Sequence, residues 1–266
     1  MILAEKYPDK QKIDSGKKIY PENYQDKKSI SITPAQFFNE ISEKKNIYIE
    51  TSGGYHSSNT VLEFYELGYK NVFLIHNDTK LQYIECLDNI HRLIEITDYP
   101  IVFITPFHKR NISDIMKESF SNIENARGKH NYRDYFSCCR VLKKQASKSW
   151  NNKNLLDNSI VISSLTPYES FNRQMTLFEL KKSNSFVRFH KTQNCYKGYP
   201  YRDLLHGNRR YSRKIYEPLF EQKLRQYNLN IKHSGCRICP IRILFPEMLE
   251  ENDCSIRYNK IQWSLE

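Results

Sequence analysis

The sequence lacks any apolar run that approaches the roughly 20 residues of a membrane-spanning helix. Its first residues, Met1 to Lys6, lack the charged and then apolar layout of a secretory signal. It also has no Walker phosphate-binding motif, no internal repeat and no recognisable Ser-His-Asp arrangement. These absences argue against a membrane protein and against a repeat array, and they favour a cytoplasmic location without membrane contact.

The composition favours a folded protein with one core. A chain of 266 residues can bury one hydrophobic core and at most a small additional subdomain. Hydrophobic residues make up 39% of the chain, with 19 Tyr and 14 Phe, which is unlike the composition of disordered segments. The 7 cysteines, without a secretory signal, are typical of a reducing compartment, where thiols bind metals or react instead of forming disulfides.

Positive charge is concentrated in the C-terminal part of the chain. The formal net charge is +11, and the stretch from Lys191 to Arg242 contains twelve Lys or Arg against three acids. Tyrosines are interleaved with these basic residues, and the combination suits the phosphates and bases of a nucleic acid. A solvated basic face, or the walls of a pocket for nucleotide phosphates, would give the same composition.

Short apolar strands alternate with helices in the middle of the chain. Residues 1–33 predict a loose arm and Pro34 to Lys44 a short helix. Strands are predicted at 46–51, 71–76, 100–105 and 159–163, and helices at 60–67 and 81–96. Strands separated by helices imply right-handed crossovers and a parallel sheet. We therefore expect an α/β fold with a doubly wound, mostly parallel sheet, and beyond about residue 175 an irregular basic layer over its carboxyl edge.

Four cysteines form two pairs that are distant in sequence. Cys138 and Cys139 are adjacent, whereas Cys236 and Cys239 are separated by two residues. Thiolates are soft ligands, and four of them select an iron–sulfur cluster or zinc over magnesium or calcium. Zinc sites normally use two spaced pairs, so the adjacent pair favours a [4Fe–4S] cluster. Zinc and scattered buried cysteines are the alternatives.

A turn with two glycines follows the first predicted strand. The segment Thr51-Ser-Gly-Gly-Tyr-His-Ser-Ser58 leads from that strand into a helix. The glycines allow a sharp turn and a close approach to a phosphate. The hydroxyls of Ser52, Ser57 and Ser58, with the amides of the helix N-terminus, can hold it. The pattern predicts a phosphate-binding loop, with an ordinary strand-to-helix turn as the alternative.

Four motifs, in this order, resemble those of one family. Ser52-Gly-Gly-Tyr-His-Ser57 is similar to the Ser-Gly-Gly-x-Asp-Ser loop of the PP-loop ATP pyrophosphatase superfamily. Three further segments resemble motifs of the phosphoadenylyl-sulfate (PAPS) reductase branch of that superfamily. They are Asp78-Thr-Lys-(x)4-Glu85, Glu169-Ser-x-x-Arg173, and Cys138-Cys-x-x-x-Lys143 with Cys236-x-x-Cys239. The resemblance implies an adenine nucleotide alpha hydrolase-like fold.

The resemblance also implies a role for individual residues. Residues 34–180 would form the nucleotide-binding domain, and 181–266 would complete the cluster site. The phosphates of ATP, adenylyl sulfate or PAPS would be held by Ser52, Gly53, Gly54, His56, Ser57 and Ser58. The adenosine would lie near Asp78, Thr79 and Glu85, and the phosphate side would be shaped by Glu169, Ser170 and Arg173. Lys143 would act beside a [4Fe–4S] cluster bound by Cys138, Cys139, Cys236 and Cys239.

Several positions depart from the family pattern. His56 replaces an aspartate and removes a hard oxygen ligand suited to Mg²⁺, so the need for Mg²⁺ is left open. Lys80 replaces a glycine, and Thr166 replaces an arginine. The reductases carry a catalytic cysteine in a Glu-Cys-Gly-x-His tail, whereas here Cys254 lies in Asn-Asp-Cys-Ser-Ile-Arg257. Cys254 is a candidate nucleophile, and an incidental cysteine is the alternative.

These features predict an enzyme with two candidate reactions. One is reduction of a sulfonucleotide, in which the Cys254 thiolate attacks the sulfate sulfur and an external thiol reductant then releases sulfite. The other is ATP-dependent insertion of sulfur into a nucleic acid, with a sulfur-donor protein as a further partner. A PP-loop domain that has lost catalysis, and that serves as a nucleic-acid-binding or regulatory module, is the alternative.

Overall fold

The computed structural model describes residues 32–106, 111–125, 137–169, 171–191 and 193–229. Predictions on residues 1–31, and on Ser170, Cys236, Cys239 and Cys254, lie outside the described residues. No helix within the described ranges combines the length and the apolar character that crossing a bilayer requires.

A six-stranded sheet lies at the centre of the described structure. The strands are β1 (Asn46–Glu50), β2 (Val72–Asn77), β3 (Ile101–Ile104), β4 (Ser159–Ile162), β5 (Val187–His190) and β6 (Cys195–Gly198). Their order is β3-β2-β1-β4-β6-β5, and all neighbours are parallel except β5 and β6. The order runs outward in both directions from the β1–β4 pair, as in a doubly wound sheet. The predicted fold class is confirmed.

Helices connect the strands. They are α1 (Ala35–Ile41), α2 (Tyr55–Glu66), α3 (Ile84–Thr97), α4 (Ile112–Asn125), α5 (Ser137–Cys139), α6 (Ala146–Asn154), α7 (Phe171–Lys182) and α8 (Arg209–Gln226). A π-helical segment, Arg140–Gln145, joins α5 to α6 without a break. The helix predicted from residue 60 begins five residues earlier, at Tyr55. The first turn of α2 therefore includes part of the predicted phosphate loop.

The central strands are buried on both faces. Ile47 and Ile49 of β1 are fully buried in the largest hydrophobic cluster, with residues of α1, α2 and α3. Tyr48, between them, faces the opposite side and packs near Trp150 of α6. Successive strand residues point to opposite faces, and apolar residues at every position therefore cover both. This explains why β1, β2 and β4 could be recognised as continuous apolar runs.

The C-terminal part differs from the prediction as far as Leu229. Instead of an irregular layer, β6 pairs with β4 and extends the sheet, and β5 forms the antiparallel edge. Helix α8 follows and packs on α2, where Lys223 lies 2.7 Å from Glu66 and 3.9 Å from Glu63. This part of the chain is therefore integral to the α/β fold.

Candidate active site

The carboxyl ends of the parallel strands meet at one edge of the sheet. The loops after β1 and β4 flank the point at which the strand order diverges, where open α/β sheets bind ligands. The end of β2 and the residue that follows it are hydrogen-bonded to the ends of β1 and β3. His76 Nδ1 lies 2.7 Å from the Thr51 carbonyl oxygen, and the Asp78 amide donates to the Ile104 carbonyl at 3.0 Å. Three of the predicted motifs thus begin at this edge.

The loop after β1 requires glycine at residue 53. Gly53 has φ +71°, a conformation that other residues adopt at a cost. A Cβ at this position would lie 2.0 Å from the Cys86 carbonyl oxygen, so the backbones of the loop and α3 are in direct contact. The Asn89 side chain of α3 also donates to the Gly53 carbonyl at 3.3 Å. Helix α3 therefore forms the wall against which the loop turns.

Two serine hydroxyls lie together inside the loop. Ser52 Oγ and Ser57 Oγ are 3.1 Å apart, and the Ser57 hydroxyl also accepts a bond from the Ser52 amide at 3.1 Å. Ser52 is exposed, and the Gly54 amide donates to its hydroxyl at 3.3 Å. Ser58, by contrast, is fully buried, and its hydroxyl has no hydrogen-bond partner among the described residues. Ser52 and Ser57 are thus the hydroxyls best positioned to face a ligand.

The His56 ring is held on the side of α2 that faces α8. Its Nε2 lies 2.9 Å from the Tyr168 hydroxyl, and its Nδ1 lies 3.6 Å from Glu169 Oε2. The ring contacts Phe220 edge-on, with centroids 4.8 Å apart. Burial lowers the pKa of His56, although the Glu169 charge opposes this. A neutral ring would accept from Tyr168 through Nε2 and direct its Nδ1–H towards Glu169.

The Glu169 carboxylate is surrounded by several hydrogen-bond donors. The Thr166 hydroxyl donates to its Oε2 at 2.7 Å, the Thr166 amide donates at 3.3 Å, and Arg173 forms an ion pair with the same oxygen. Burial alone would raise the pKa of Glu169, but His56, Arg173 and the Thr166 donor outweigh it and lower the pKa to about 2. We call this cluster the closed flank of the loop; its members are His56, Thr166, Tyr168, Glu169 and Arg173.

The segment after β2 turns at Lys80. Asp78 and Thr79 are buried, and Lys80 has φ +59°. That conformation is one that glycine adopts more easily than lysine. Lys80 also donates to Asp78 through both its amide and its side chain. Glu85 lies half-buried in the first turn of α3.

His76 is used to join the strand ends. Because a carbonyl oxygen only accepts, Nδ1 must donate to Thr51, and Nε2 then accepts from the Gln82 amide nitrogen at 3.0 Å. Burial lowers the pKa of His76, and the nearby charge of Lys143 contributes in the same direction. His76 is therefore a neutral connector, and Lys143 lies close enough to influence this edge.

The adjacent cysteines lie where the backbone changes its helical form. Cys138 and Cys139 end α5, and the π-helical segment starts at the next residue. The Cys138 amide donates to the Ser119 hydroxyl of α4 at 2.8 Å. Cys138 is buried in a cluster that includes Leu81, from the loop after β2. The cysteine pair thus packs beside one of the predicted nucleotide motifs.

The Cys138 thiol has surroundings that favour the thiolate. A hydrogen bond from the Cys139 side chain is the largest cause that lowers the pKa of Cys138, and burial opposes it. Ser119 and the positive charge of Lys143 lower it further, to about 6. We call this region the thiol flank; its members are Ser119, Cys138, Cys139 and Lys143. The deprotonated sulfur that it favours is the form that binds metals and attacks electrophiles.

Two other cysteines are core residues. Cys86 is buried in α3 beneath the loop, as its position on an apolar helix face predicts. Cys195 begins β6, where Asn151 donates to its sulfur at 3.5 Å. Burial raises the pKa of the Cys195 thiol to about 11. Cys195 therefore lacks the properties of a reactive thiol.

Sequence reasoning missed several residues that hold the site together. Asn89 lies on the otherwise apolar face of α3, next to Ile90 and Leu93, and a polar residue there was a signal that could have been used. Tyr168 directly precedes the motif that begins at Glu169, and the motif itself gave no reason to select it. Ser119 gave no signal, because no sequence pattern indicates that α4 packs against the cysteine pair.

No family model matches the sequence, and no curated protein matches it either. Two solved structures are similar to the described fold. One is PAPS reductase from Candida auris in its phosphate complex, with 11% identity and a TM-score of 0.45; the match covers 84% of this chain and 89% of that one. The other is the U34-tRNA thiolase NcsA from Methanococcus maripaludis with its [4Fe-4S] cluster, with 12% identity and a TM-score of 0.42; the match covers 77% of this chain and 65% of that one. The assignment of the fold rests on the strand order and pairing of the chain itself.

Proposed function

We propose that this chain binds an adenine nucleotide at the loop after β1 and carries out sulfur chemistry beside it. The observation that carries the proposal is the convergence of separate motifs at one sheet edge. His56 of the loop helix contacts Glu169 of the later motif, and Cys138 packs against Leu81. Segments this far apart in sequence can form a single reaction centre only if they meet at the same edge of the sheet.

The loop supplies groups suited to phosphates. Ser52 and Ser57 offer hydroxyls, and Gly53 permits the close backbone turn. The first intrahelical bond near the loop runs from the Ser58 amide to the Gly54 carbonyl, so the amides before it have no acceptor within the helix. Helix N-terminal amides attract anions. Gly54 and Ser57 are included in the proposed phosphate-binding set with Ser52 and Gly53, whereas Ser58, whose hydroxyl is fully buried and whose amide bonds to Gly54, supports the start of the helix.

The nucleoside end would lie towards α3 and β2. Asp78 and Thr79 follow β2 directly, and Glu85 begins α3, whose backbone touches the loop. Carboxylates and a hydroxyl can accept from, or donate to, ribose and base groups. On the opposite side, Arg173 would act on the phosphates through its position beside Glu169.

The thiol flank would contribute two ligands to a [4Fe–4S] cluster. The donor set fits, because Cys138 and Cys139 hydrogen-bond to each other and the pKa of Cys138 is lowered to about 6, which favours the thiolate that iron needs. Cys236 and Cys239 are proposed as the other two ligands. When bound, the cluster would supply a soft, iron-rich centre beside the anionic end of the nucleotide. Lys143 would supply positive charge there.

The reductase reaction needs a nucleophile and a reductant. In the proposed step the Cys254 thiolate attacks the sulfate sulfur of adenylyl sulfate, the S–O bond to the phosphate breaks, and AMP leaves. A sulfur–sulfur bond to sulfite is formed on the cysteine. Two external thiols then reduce that bond, release sulfite and become a disulfide, so the electrons balance. The Cys254→Ser variant should release no sulfite, and unchanged release would remove this cysteine from the mechanism.

The cluster is tested by purifying the protein without oxygen. We expect a brown protein with about four irons per chain. The variants Cys138→Ser and Cys139→Ser should each lose iron, whereas the matched control Cys195→Ser, in β6, should keep it. A colourless protein that contains zinc would contradict the cluster.

The reaction is tested by incubation with adenylyl sulfate, PAPS or ATP. Release of sulfite supports the reductase, and formation of AMP with pyrophosphate supports thiolation. Binding without turnover of any of the three would contradict catalysis and would support a nucleotide-binding module.

One surface feature suits contact with a nucleic acid. On the β5–β6 edge, Phe189 and Tyr196 are paired across the strands and are 46% and 47% exposed. Their rings meet edge-to-face with centroids 5.3 Å apart, and Lys44 Nζ lies 4.8 Å from the Tyr196 ring centre. Exposed aromatic rings beside basic groups suit the stacking of unpaired bases.

This surface is tested with a fluorescent single-stranded oligonucleotide. The double variant Phe189→Ala and Tyr196→Ala should weaken binding about tenfold or more, since each stacked base contributes about 1–3 kcal/mol. Phe178→Ala is the matched control, because Phe178 is 49% exposed and also lies beneath a lysine, Lys182. Equal losses in both variants would contradict a specific role for the β5–β6 edge.

A further inference from the structure

The loop helix carries a residue that does not suit the metal of the family. In PP-loop ATP pyrophosphatases, which the loop resembles, an aspartate stands where this chain has His56. A carboxylate oxygen is a hard ligand that Mg²⁺ accepts, whereas imidazole suits zinc, copper, iron or nickel. The question is whether the described residues around the loop could still hold Mg²⁺.

The His56 side chain is committed elsewhere. Both ring nitrogens have partners, Tyr168 at 2.9 Å and Glu169 at 3.6 Å. Phe220 meets the ring edge-on and Tyr201 lies 6.4 Å away between centroids, so aromatic groups enclose it. Binding a metal would require this ring to leave a buried position and to abandon two polar partners.

The nearby carboxylates are committed as well. Glu169 pairs with Arg173 and accepts from the Thr166 hydroxyl and amide. Asp78, beyond β2, accepts from the amide and the side chain of Lys80. Across the described ranges there is no group of three or more His, Cys, Asp or Glu side chains arranged to hold a metal ion. Mg²⁺ would have to displace a lysine or an arginine that already neutralises each carboxylate.

The groups that remain are suited to an anion without a metal. They are the hydroxyls of Ser52 and Ser57 and the backbone amides at the start of α2. These groups supply hydrogen-bond donors and the positive end of a helix dipole. They need no cation to bridge them to a phosphate.

We infer that this loop holds the phosphates of its nucleotide without a divalent cation bound by the protein, and that His56 is a positioning residue. His56 joins the first turn of α2 to the segment before α7 through Tyr168 and Glu169. It thereby fixes the direction of the amides that face the phosphates. This inference rests on the proposed nucleotide-binding function and specifies how that site binds its ligand.

The full-length protein should bind ATP equally well with and without Mg²⁺. We would titrate ATP by calorimetry, once with excess EDTA and once with MgCl₂, and expect dissociation constants within about threefold of each other. Binding that appears only with Mg²⁺, or that tightens about tenfold or more, would overturn the inference while supporting the nucleotide site. Lack of binding of ATP, adenylyl sulfate and PAPS in both conditions would overturn the proposed function and the inference together.

Variants of His56 test its positioning role. His56→Ala should weaken ATP binding about tenfold to the same extent with EDTA and with MgCl₂, because it removes the link and not a metal ligand. His56→Gln retains a donor and an acceptor and should restore most of the affinity. His91→Ala, at an exposed histidine of α3, is the matched control and should change nothing.

A metal probe tests the inference without relying on the stability of the His56→Ala variant. If His56→Ala lowers the melting temperature too far for calorimetry, Mn²⁺ can be added to the wild-type protein with ATP and followed by electron paramagnetic resonance. The spectrum should match that of Mn²⁺ with ATP that is bound to no protein ligand. New line shapes in the wild-type protein that disappear in His56→Gln would contradict the inference.

Discussion

The closed flank and the thiol flank lie at the same sheet edge but differ in how their polar groups are satisfied. In the closed flank, Glu169 is matched by Arg173 and Thr166, and His56 has a partner at each nitrogen. In the thiol flank, Cys138 is surrounded by donors and by the charge of Lys143. The first arrangement satisfies its charges within the structure, and the second favours the deprotonated form of a thiol.

The two flanks also differ in how they compare with the motifs that the sequence resembles. His56 and Thr166, which depart from those motifs, lie in the closed flank, whereas Cys138, Cys139 and Lys143 agree with the resembled cysteine motif. The proposed sulfur chemistry is therefore the activity to test first, ahead of metal-dependent cleavage of ATP.

Gly53→Ala should have the largest effect, because it forces the loop away from α3, the wall against which the loop turns. A methyl group would meet the Cys86 carbonyl at 2.0 Å, in addition to the unfavourable φ of +71°. We expect destabilisation on the order of 3 kcal/mol in urea unfolding, with loss of nucleotide binding.

Gly68→Ala is the control for that variant. Gly68 has φ +77°, but nothing lies within 4 Å of a Cβ there, so only the conformational cost of about 1 kcal/mol should appear. Equal losses in the two variants would show that contact with α3 is not what the loop requires.

Glu169→Gln should destabilise the closed flank at neutral pH by about 1–3 kcal/mol, since it removes a charged acceptor of several bonds. The pKa of Glu169 is lowered to about 2, below its unfolded value of about 4.3. The contribution of the ionised Glu169 carboxylate to the free energy of unfolding is therefore complete above about pH 4.3 and is lost as the pH falls towards 2. Urea unfolding at pH 7 and at pH 3 should show the difference between variant and wild type shrinking.

Glu179→Gln is the control, because Glu179 lies on α7, the helix that also carries Arg173, the partner of Glu169. Glu179 pairs with Lys182 at 3.0 Å in an exposed position, where such pairs contribute little. A pH-independent difference for Glu169→Gln would contradict the low pKa of that carboxyl group.

The two buried thiols, Cys138 and Cys195, should separate in their reaction with iodoacetamide. In the metal-free protein, the rate at Cys138 should rise with a midpoint near pH 6, the pKa its surroundings favour, whereas Cys195, with a pKa raised to about 11, should stay unmodified. Mass spectrometry after digestion distinguishes the sites. A midpoint for Cys138 near that of an ordinary thiol, about 8.5, would remove the contrast between the flanks.

The smallest effect is expected for Lys143→Met. The charge of Lys143 lowers the pKa of Cys138 less than the hydrogen bond from Cys139 does. Lys143→Met should therefore raise the alkylation midpoint of Cys138 by less than Cys139→Ala does, since alanine has no donor to replace the Cys139 thiol. A larger rise for the lysine variant would show that the charge of Lys143 is the main cause of the lowered pKa of Cys138.

The sequence predicts the parallel part of the fold because burial on both faces makes β1, β2 and β4 continuous apolar runs. It does not reveal β5 and β6, which have four residues each and carry Arg188 and Lys197. Lys197 is buried only because Glu50 of β1 lies 2.6 Å away, a partner no local pattern could indicate. Long-range charge pairing here outweighs local propensity.

Helix α8 was missed for a different reason. Tyr216, Leu219, Phe220 and Leu224 have the spacing of a buried helical face, but Pro218 lies among them. A proline inside a helix removes a hydrogen bond and usually indicates an end. Packing on α2 outweighs that cost, as shown by the Asn59 side chain donating to the Phe220 carbonyl at 3.1 Å.

The candidate site divides in the same way. The turn between β1 and α2 could be predicted, because a strand, two glycines and a helix are contiguous in sequence. The partners of His56 could not, since Tyr168 and Phe220 come from other segments that only the folded chain brings together.

The π-helical segment after Cys139 has the geometry of a helix that has gained one residue. Its hydrogen bonds span five residues instead of four, which brings residue 143 back over residue 138 in register. In an ordinary α-helix, two residues five apart lie about 140° apart around the axis, so the same sequence wound as an α-helix would turn the lysine away from the sulfur. The charge of Lys143 can act on Cys138 because the helix is wound more widely at this point.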